Sequence, residues 1–312
     1  APPTMTPTQS KLIAWFRKHA AAQAAAGDRG RAIRVIRAAL DLARRQANPD
    51  SEEARELFDV LMEGGGLLLH GGKAREAATC LSEALELQEA PEVNATPSEI
   101  AEIRQRLGSA RDTLGDEEAA AAEYQASLEM LGEMDPPPLE SVAHLANNLG
   151  MIRRNQGRFE EAAALYRRAQ EIFEAMGEDY ATDLATICNN QGSLFWAWEQ
   201  PELARDFHLT ALKLRRDHLP ENHPDIGQSA CNLAAVYHDL RDYEKAARNY
   251  ERALAILRKS LAEDPDTYEI VASNYADLLE DSGQETKANR IRHQTARRVD
   301  KARKKQGAQE QA

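Results

Sequence analysis

Asn148, Asn190, Asn232 and Asn274 stand at a constant spacing of 42 residues. A carboxamide carries two N–H donors and a carbonyl acceptor, so a row of them can bond both polar groups of a peptide unit whatever side chain that unit bears. If helices lie side by side about 8–10 Å apart, one amide per repeat meets about every third residue of an extended strand rising about 3.3 Å per residue. Asn147 and Asn189 double the row at two steps, and His144, Asn155, Trp196 and Asp239 fall on the same side at helical spacing. These ten residues are the candidate recognition face. Asp239, Asp277 and Asp281 turn its C-terminal end acidic, which suits a ligand bearing Lys or Arg. Trp196 either anchors an apolar ligand side chain or wedges between repeats. For the asparagines the competing reading is that they bond neighbouring helices or face solvent.

Catalytic chemistry finds little support in the same chain. The stretch from Gly64 to Ala74 has the look of a phosphate loop, but the glycine spacing fails and Ala74 stands where Ser or Thr is required. His218 and His223 lie beside Glu221 and Asp225, a set that holds a metal only if a further ligand arrives from elsewhere. There is no Gly-x-Ser-x-Gly elbow and no His-Glu-x-x-His helix. Cys80, Cys188 and Cys231 are far apart and read as small packing residues. The expectation is a binding protein, not an enzyme, with no cofactor and no metal.

The elements that must carry the amides follow from two further columns. Ala78, Ala120, Ala162, Ala204, Ala246 and Ala288 share the 42-residue spacing, and Gly66, Gly108, Gly150, Gly192, Ala234 and Ala276 precede them by 12 residues. Small side chains recurring at one place let two helices approach closely, so each period is a helical hairpin stacked on the next. The spacing predicts seven pairs, at 8–46, 51–89, 97–132, 139–176, 181–217, 223–262 and 265–305, with tails over 1–7 and 306–312. Glycines at several turns and prolines at helix starts support these bounds. In pair six, Leu233, Val236, Tyr237, Leu240, Tyr243, Tyr250, Leu254 and Ile256 form an apolar stripe that only neighbouring pairs can cover. The fold class is all-α, a right-handed solenoid in a single array.

Composition agrees: 42% hydrophobic, 29% charged and only 5% aromatic residues suit helices packed through Ala and Leu. With neither a run of about 18 apolar residues nor a signal-peptide pattern, the expected address is cytoplasmic. The net charge of −12 is uneven. Both ends are basic, and Arg290, Arg297, Arg298, Lys301, Arg303, Lys304 and Lys305 form a candidate basic surface for an anionic membrane or filament. No aromatic residues interleave with these bases, which counts against single-stranded nucleic acid.

Ala162-Tyr166-Ala169, Ala246-Tyr250-Ala253, Asn232-Leu233-Ala234 and Asn222-His223-Pro224-Asp225 resemble the tetratricopeptide repeat in its kinesin-light-chain form, whose repeat is longer than the common period of about 34 residues. The resemblance covers pairs four to six best. It weakens outward, where Ile36, Ser82 and Arg292 depart from the pattern. It implies that the helix-A asparagines line a concave groove and hold an extended peptide. Light-chain-like proteins of this size occur in bacteria, some beside bacterial tubulin, and the Ala/Arg-rich composition is similar to theirs. The chain shows no heptad coiled coil of the kind that joins a light chain to its motor, so a motor-subunit role does not carry over. The expected function is an adaptor, linking a tubulin-like filament to another partner or a membrane. A self-associating structural protein and a membrane binder acting through the basic ends are the alternatives.

Overall fold

The computed structural model describes residues 7–46 and 53–310. These residues form fourteen α-helices and one 3-10 turn, with no strand among them. The helices are α1 (Pro7–Ala25), α2 (Arg29–Gln46), α3 (Glu53–His70), α4 (Ala74–Leu87), α5 (Pro97–Thr113), α6 (Glu117–Gly132), α7 (Leu139–Asn155), α8 (Phe159–Met176), α9 (Ala181–Ala197), α10 (Pro201–His218), α11 (Pro224–Asp239), α12 (Tyr243–Leu257), α13 (Pro265–Asp281) and α14 (Glu285–Glu310). The odd-numbered helices correspond to the A helices of the seven pairs read from the sequence and the even-numbered ones to their B helices. The chain divides into two compact units, Ala1–Ile152 and Arg153–Ala312, the division falling near the end of α7.

Within the first unit, α1 to α5 each pack on the next helix in the chain, α5 packs on α6, and the A helices α1, α3 and α5 also touch in sequence. The second unit repeats this plan from α8 to α14, with α9, α11 and α13 in lateral contact. One hydrophobic core runs through α1–α5, built on Ile13, Ile36, Phe58, Leu61 and Leu81. Another spans α10–α14, around Tyr250, Tyr268, Tyr275 and Leu279.

The small-residue column acts where a B-helix aromatic crosses the A helix. A Cβ on Gly108 would lie 2.9 Å from the Tyr124 ring, and one on Gly192 only 2.6 Å from the ring of His208. Each glycine thus lets a ring lie against bare backbone. The turns between A and B use Gly27, Gly72, Gly115, Gly157 and Gly283 at φ between 72 and 83°, the left-handed position that ends a helix. In the two hairpins without that glycine, Glu199 and Arg241 adopt φ of 57 and 59°, at a cost of about 1 kcal/mol each for a side chain in that region.

Helix starts are closed by side chains. Thr96 and Glu99 form a reciprocal capping box on α5, and Asp116, Asp242 and Asp264 cap α6, α12 and α13. At the C-terminus the helix passes the expected end of the array and reaches Glu310. Gln306 Nε2 donates to the carbonyls of Ala262 and Glu263 at 2.9 and 3.3 Å, which ties residues assigned to a tail onto the loop before α13. Of the tail expected at 1–7, all but Pro7 lies outside the described residues, as do 311–312.

Candidate functional site

The amide column of the second unit lies along α9, α11 and α13, and its members are half-buried. Asn232 Nδ2 donates to Asn189 Oδ1 at 2.8 Å, across 43 residues. Asn232 Oδ1 in turn accepts from Gln228 Nε2 at 2.9 Å. One repeat further on, Asn274 hydrogen-bonds the Cys231 thiol. A second row runs parallel to the first: Trp196 Nε1 donates to the Asp239 carboxylate, and His238 Nε2 lies 2.9 Å from Asp281 Oδ2, both again across 43 residues. One period plus one residue is therefore the stagger at which the A helices of the second unit meet. The reading that asparagines bond neighbouring helices holds for Asn189, Asn232 and Asn274. It does not exhaust them, because Asn232 uses one of its two N–H groups and one of its two carbonyl lone pairs.

Trp196 keeps 45% of its surface exposed while its N–H is held. Asn190 is half-buried on the same column. The acidic end expected here is exposed and partly engaged by neighbouring side chains. Asp239 takes the Trp196 N–H, Asp281 faces His238, and Asp277 accepts from Arg292 Nη2 at 2.8 Å, with Glu280 on the same guanidinium. Arg292 stands in the B-helix column that elsewhere holds Tyr166 and Tyr250, so its charge could not be assigned to the A helix beside it from spacing alone.

In the first unit Asn147 is buried at 8% exposure and donates to Asn148 Oδ1 at 3.3 Å and to Met151 Sδ at 4.0 Å. Asn148 is half-buried. His144 lies 3.9 Å from Glu140, and Asn155 is exposed and accepts from Arg154 Nη2 at 3.0 Å. Asn147 thus belongs to the packing of α7, because its side chain turns inward along its own helix.

The first unit links its A helices with charge instead of amides. Arg17 bonds Glu63 at 2.5 and 2.9 Å, and Arg55 binds Glu99 and lies 2.9 Å from Asp59. Arg106, one period before Asn148, sends Nη1 back to the Met62 carbonyl at 3.0 Å. It lies over Gly66, whose missing side chain leaves the space. The Arg55 guanidinium, with help from Thr96, holds the Glu99 carboxyl down at about 2. Arg106 was legible in principle, since it shares the asparagine column.

His208 fills the aromatic column opposite Gly192 at 1% exposure, and its Nδ1 has no hydrogen-bond partner. Burial first, and the nearby Arg215 cation second, push its pKa down to about 4. The imidazole is therefore neutral and packs as a ring. Burial likewise pushes the Cys188 and Cys231 thiols up to about 11, which suits packing residues and not nucleophiles.

The basic surface divides in two. Arg303 bridges Asp266 and Glu269 at 2.6 and 2.7 Å, Arg298 donates to Tyr268 Oη at 2.8 Å, and Lys304 pairs with Asp300 at 2.7 Å. Arg290, Arg297, Lys301 and Lys305 are exposed on one side of α14. Among the described residues no group of three or more His, Cys, Asp or Glu side chains is placed to hold a metal, and no helix is long and apolar enough to cross a membrane.

Tetratricopeptide-repeat family models match residues 101–130, 141–217 and 227–266. The chain carries tetratricopeptide repeats. The crystal structure of BtubC (BKLC) from P. vanneervenii is similar to this repeat protein at 29% identity and a TM-score of 0.59, over 73% of this chain and 90% of that one. The apo form of RapI is similar in fold, with a TM-score of 0.70 at 14% identity over 93% of this chain and 77% of that one. TPR-like repeats ascribed to a kinesin light chain of Podosopora anserina give 0.54 at 17% identity over 67% and 98%. No curated protein matches the chain. The fold is one that typically serves as an interaction scaffold and not as a catalyst.

Proposed function

We propose that this repeat protein is a non-catalytic interaction scaffold, and that the A-helix face of α9, α11 and α13 holds an extended segment of a protein partner. The observation that carries the reading is the state of Asn232. Its amide is half-exposed, fixed in orientation by Asn189 and Gln228, and still has one donor and one acceptor to offer. A side chain already ordered loses little freedom on binding. Asn274, steadied by Cys231, repeats the offer at the next step, and Trp196 presents an exposed ring alongside.

Two variants separate recognition from packing. Asn189→Ala and Asn232→Ala remove the same inter-helix bond, so both are expected to lower stability alike. Asn232→Ala is expected to lose far more bound partner than Asn189→Ala in a pull-down or on a peptide array. Equal losses of binding in the two variants would refute the groove reading and leave the asparagines as staples.

The finer reading assigns the captured segment to a tubulin-like filament or its associated proteins, and rests on the resemblance to kinesin light chains. The exposed cations Arg290, Arg297, Lys301 and Lys305 support a further attachment to an anionic surface, which salt would weaken. Co-sedimentation with a tubulin-like polymer and with anionic vesicles, each for wild type and for the chain with these four changed to Gln, tests it. Unchanged sedimentation after the substitutions would rule the basic stripe out.

A further inference from the structure

The last hairpin carries polar groups where the preceding one is apolar, and they converge on one place. A cleft of about 220 Å³ opens between α12 and α14, with α13 as its floor. At the 42-residue spacing Tyr268 stands where the preceding hairpin has Ile226, Tyr275 where it has Leu233, Thr295 where it has Ala253 and Arg298 where it has Ile256. All four apolar counterparts are buried. Tyr268, Tyr275 and Thr295 are buried too, so a solvent-facing cap does not account for them. Placing polar groups in an interior costs free energy unless they find partners.

The hydrogen bonds inside the cleft are lopsided. Its one carboxylate, Glu251, is taken up by Tyr275 Oη at 2.5 Å and Lys287 Nζ at 3.1 Å. Arg298 spends one N–H on Tyr268 Oη and keeps four. Arg258, also on the wall, makes no side-chain bond among the described residues. What remains unfilled is donor capacity, on two guanidinium groups whose planar forks suit oxyanions. The rest of the wall carries an apolar stretch, from Leu254, Ala255 and Ile291, beside Gln294 and Thr295.

We propose that this cleft binds an oxyanion, a carboxylate or a phosphate, carried on a short apolar stem, with Arg258 and Arg298 on the anion and Leu254 and Ile291 along the stem. The volume is below the roughly 300 Å³ at which drug-sized pockets begin, so the stem is a few carbons long. The site lies between B helices and is separate from the A-helix amides, so it stands or falls apart from the scaffold reading.

The test is a methyl-detected NMR titration of the full chain, following Leu254 and Ile291, with hexanoate, hexyl phosphate, inorganic phosphate and hexanol as probes. Saturable shifts are expected with hexanoate or hexyl phosphate, whichever is tighter naming the head group, and binding of hexanol is expected to be at least about tenfold weaker. Inorganic phosphate alone is expected to bind more weakly than the stemmed anions. Arg298→Ile restores the residue type of the preceding hairpin and Arg258 is exposed, so the double variant is expected to fold. It should bind hexanoate at least about tenfold more weakly. Arg258→Ala alone, with intact melting, provides a second reading of the same loss. Equal affinity for hexanol and hexanoate, unchanged affinity in both variants, or no saturation would each overturn the site.

Discussion

His208 provides a direct test of the packing logic. In the folded chain its pKa is about 4, against 6.5 for an unperturbed imidazole, because a charged ring cannot be solvated between Gly192 and its neighbours. The unfolded chain takes up the proton first as pH falls, so the folded state is favoured fully above 6.5 and loses ground between 6.5 and 4. At pH 5 the linkage relation gives a loss of about 2 kcal/mol relative to pH 8, with a ceiling of about 3 kcal/mol once both states are protonated. His208→Phe removes the titration while keeping a ring in the column where Tyr124, Tyr166 and Tyr250 stand. Urea midpoints of wild type and variant from pH 8 down to pH 5, with amide exchange in α9 and α10 as a local readout, measure the difference. The wild type is expected to weaken relative to the variant by about 2 kcal/mol over that interval. Parallel curves would refute both the burial and the neutrality of the ring, and an NMR titration placing His208 near 6.5 would do the same.

Gly192→Ala puts a methyl 2.6 Å from the His208 ring. It should cost about 1–3 kcal/mol in spite of the better helix former, and His208→Ala in the same chain should recover part of the loss on thermal melting. Thr96→Ala removes the α5 capping box; a fall of about 1 kcal/mol in unfolding free energy is expected, with the Glu99 carboxyl moving up from about 2 in a carbon-detected titration. Cys188 and Cys231, buried with thiols near 11, should resist a thiol reagent at pH 8 in native buffer and react fully in denaturant. Fast native labelling of either would contradict their placement.

The 42-residue columns carried the hairpins, because a ring on a B helix needs a small residue opposite it and both requirements recur at fixed spacing. Helix starts were legible for a similar reason, since Pro224 and Pro265 act locally. The asparagine row was found for its spacing alone, while its partners were not, because the stagger between A helices depends on how they pack. Asn189 meets Asn232, and Asp239 meets Trp196, only once that stagger exists. The same holds for acidic residues of α13 such as Asp277 and Asp266, whose charge is met by Arg292 and Arg303 from the helix that folds back over it. Their lone appearance in the linear chain suggested an open acidic surface. The cleft beside Arg298 needed both levels, the column that marks the departure and the helix packing that brings four departures together.

The stagger of one period plus one residue also governs how the chain can change. Were the hairpin of α9 and α10 copied in tandem, Asn189 would face the copy's Asn190 and keep an amide partner, but Trp196 would face Ala197 and lose its carboxylate. Order is thus inscribed in the seams between neighbours, and a shuffled or duplicated version must rewrite residues on both sides of each new joint before it can match the original.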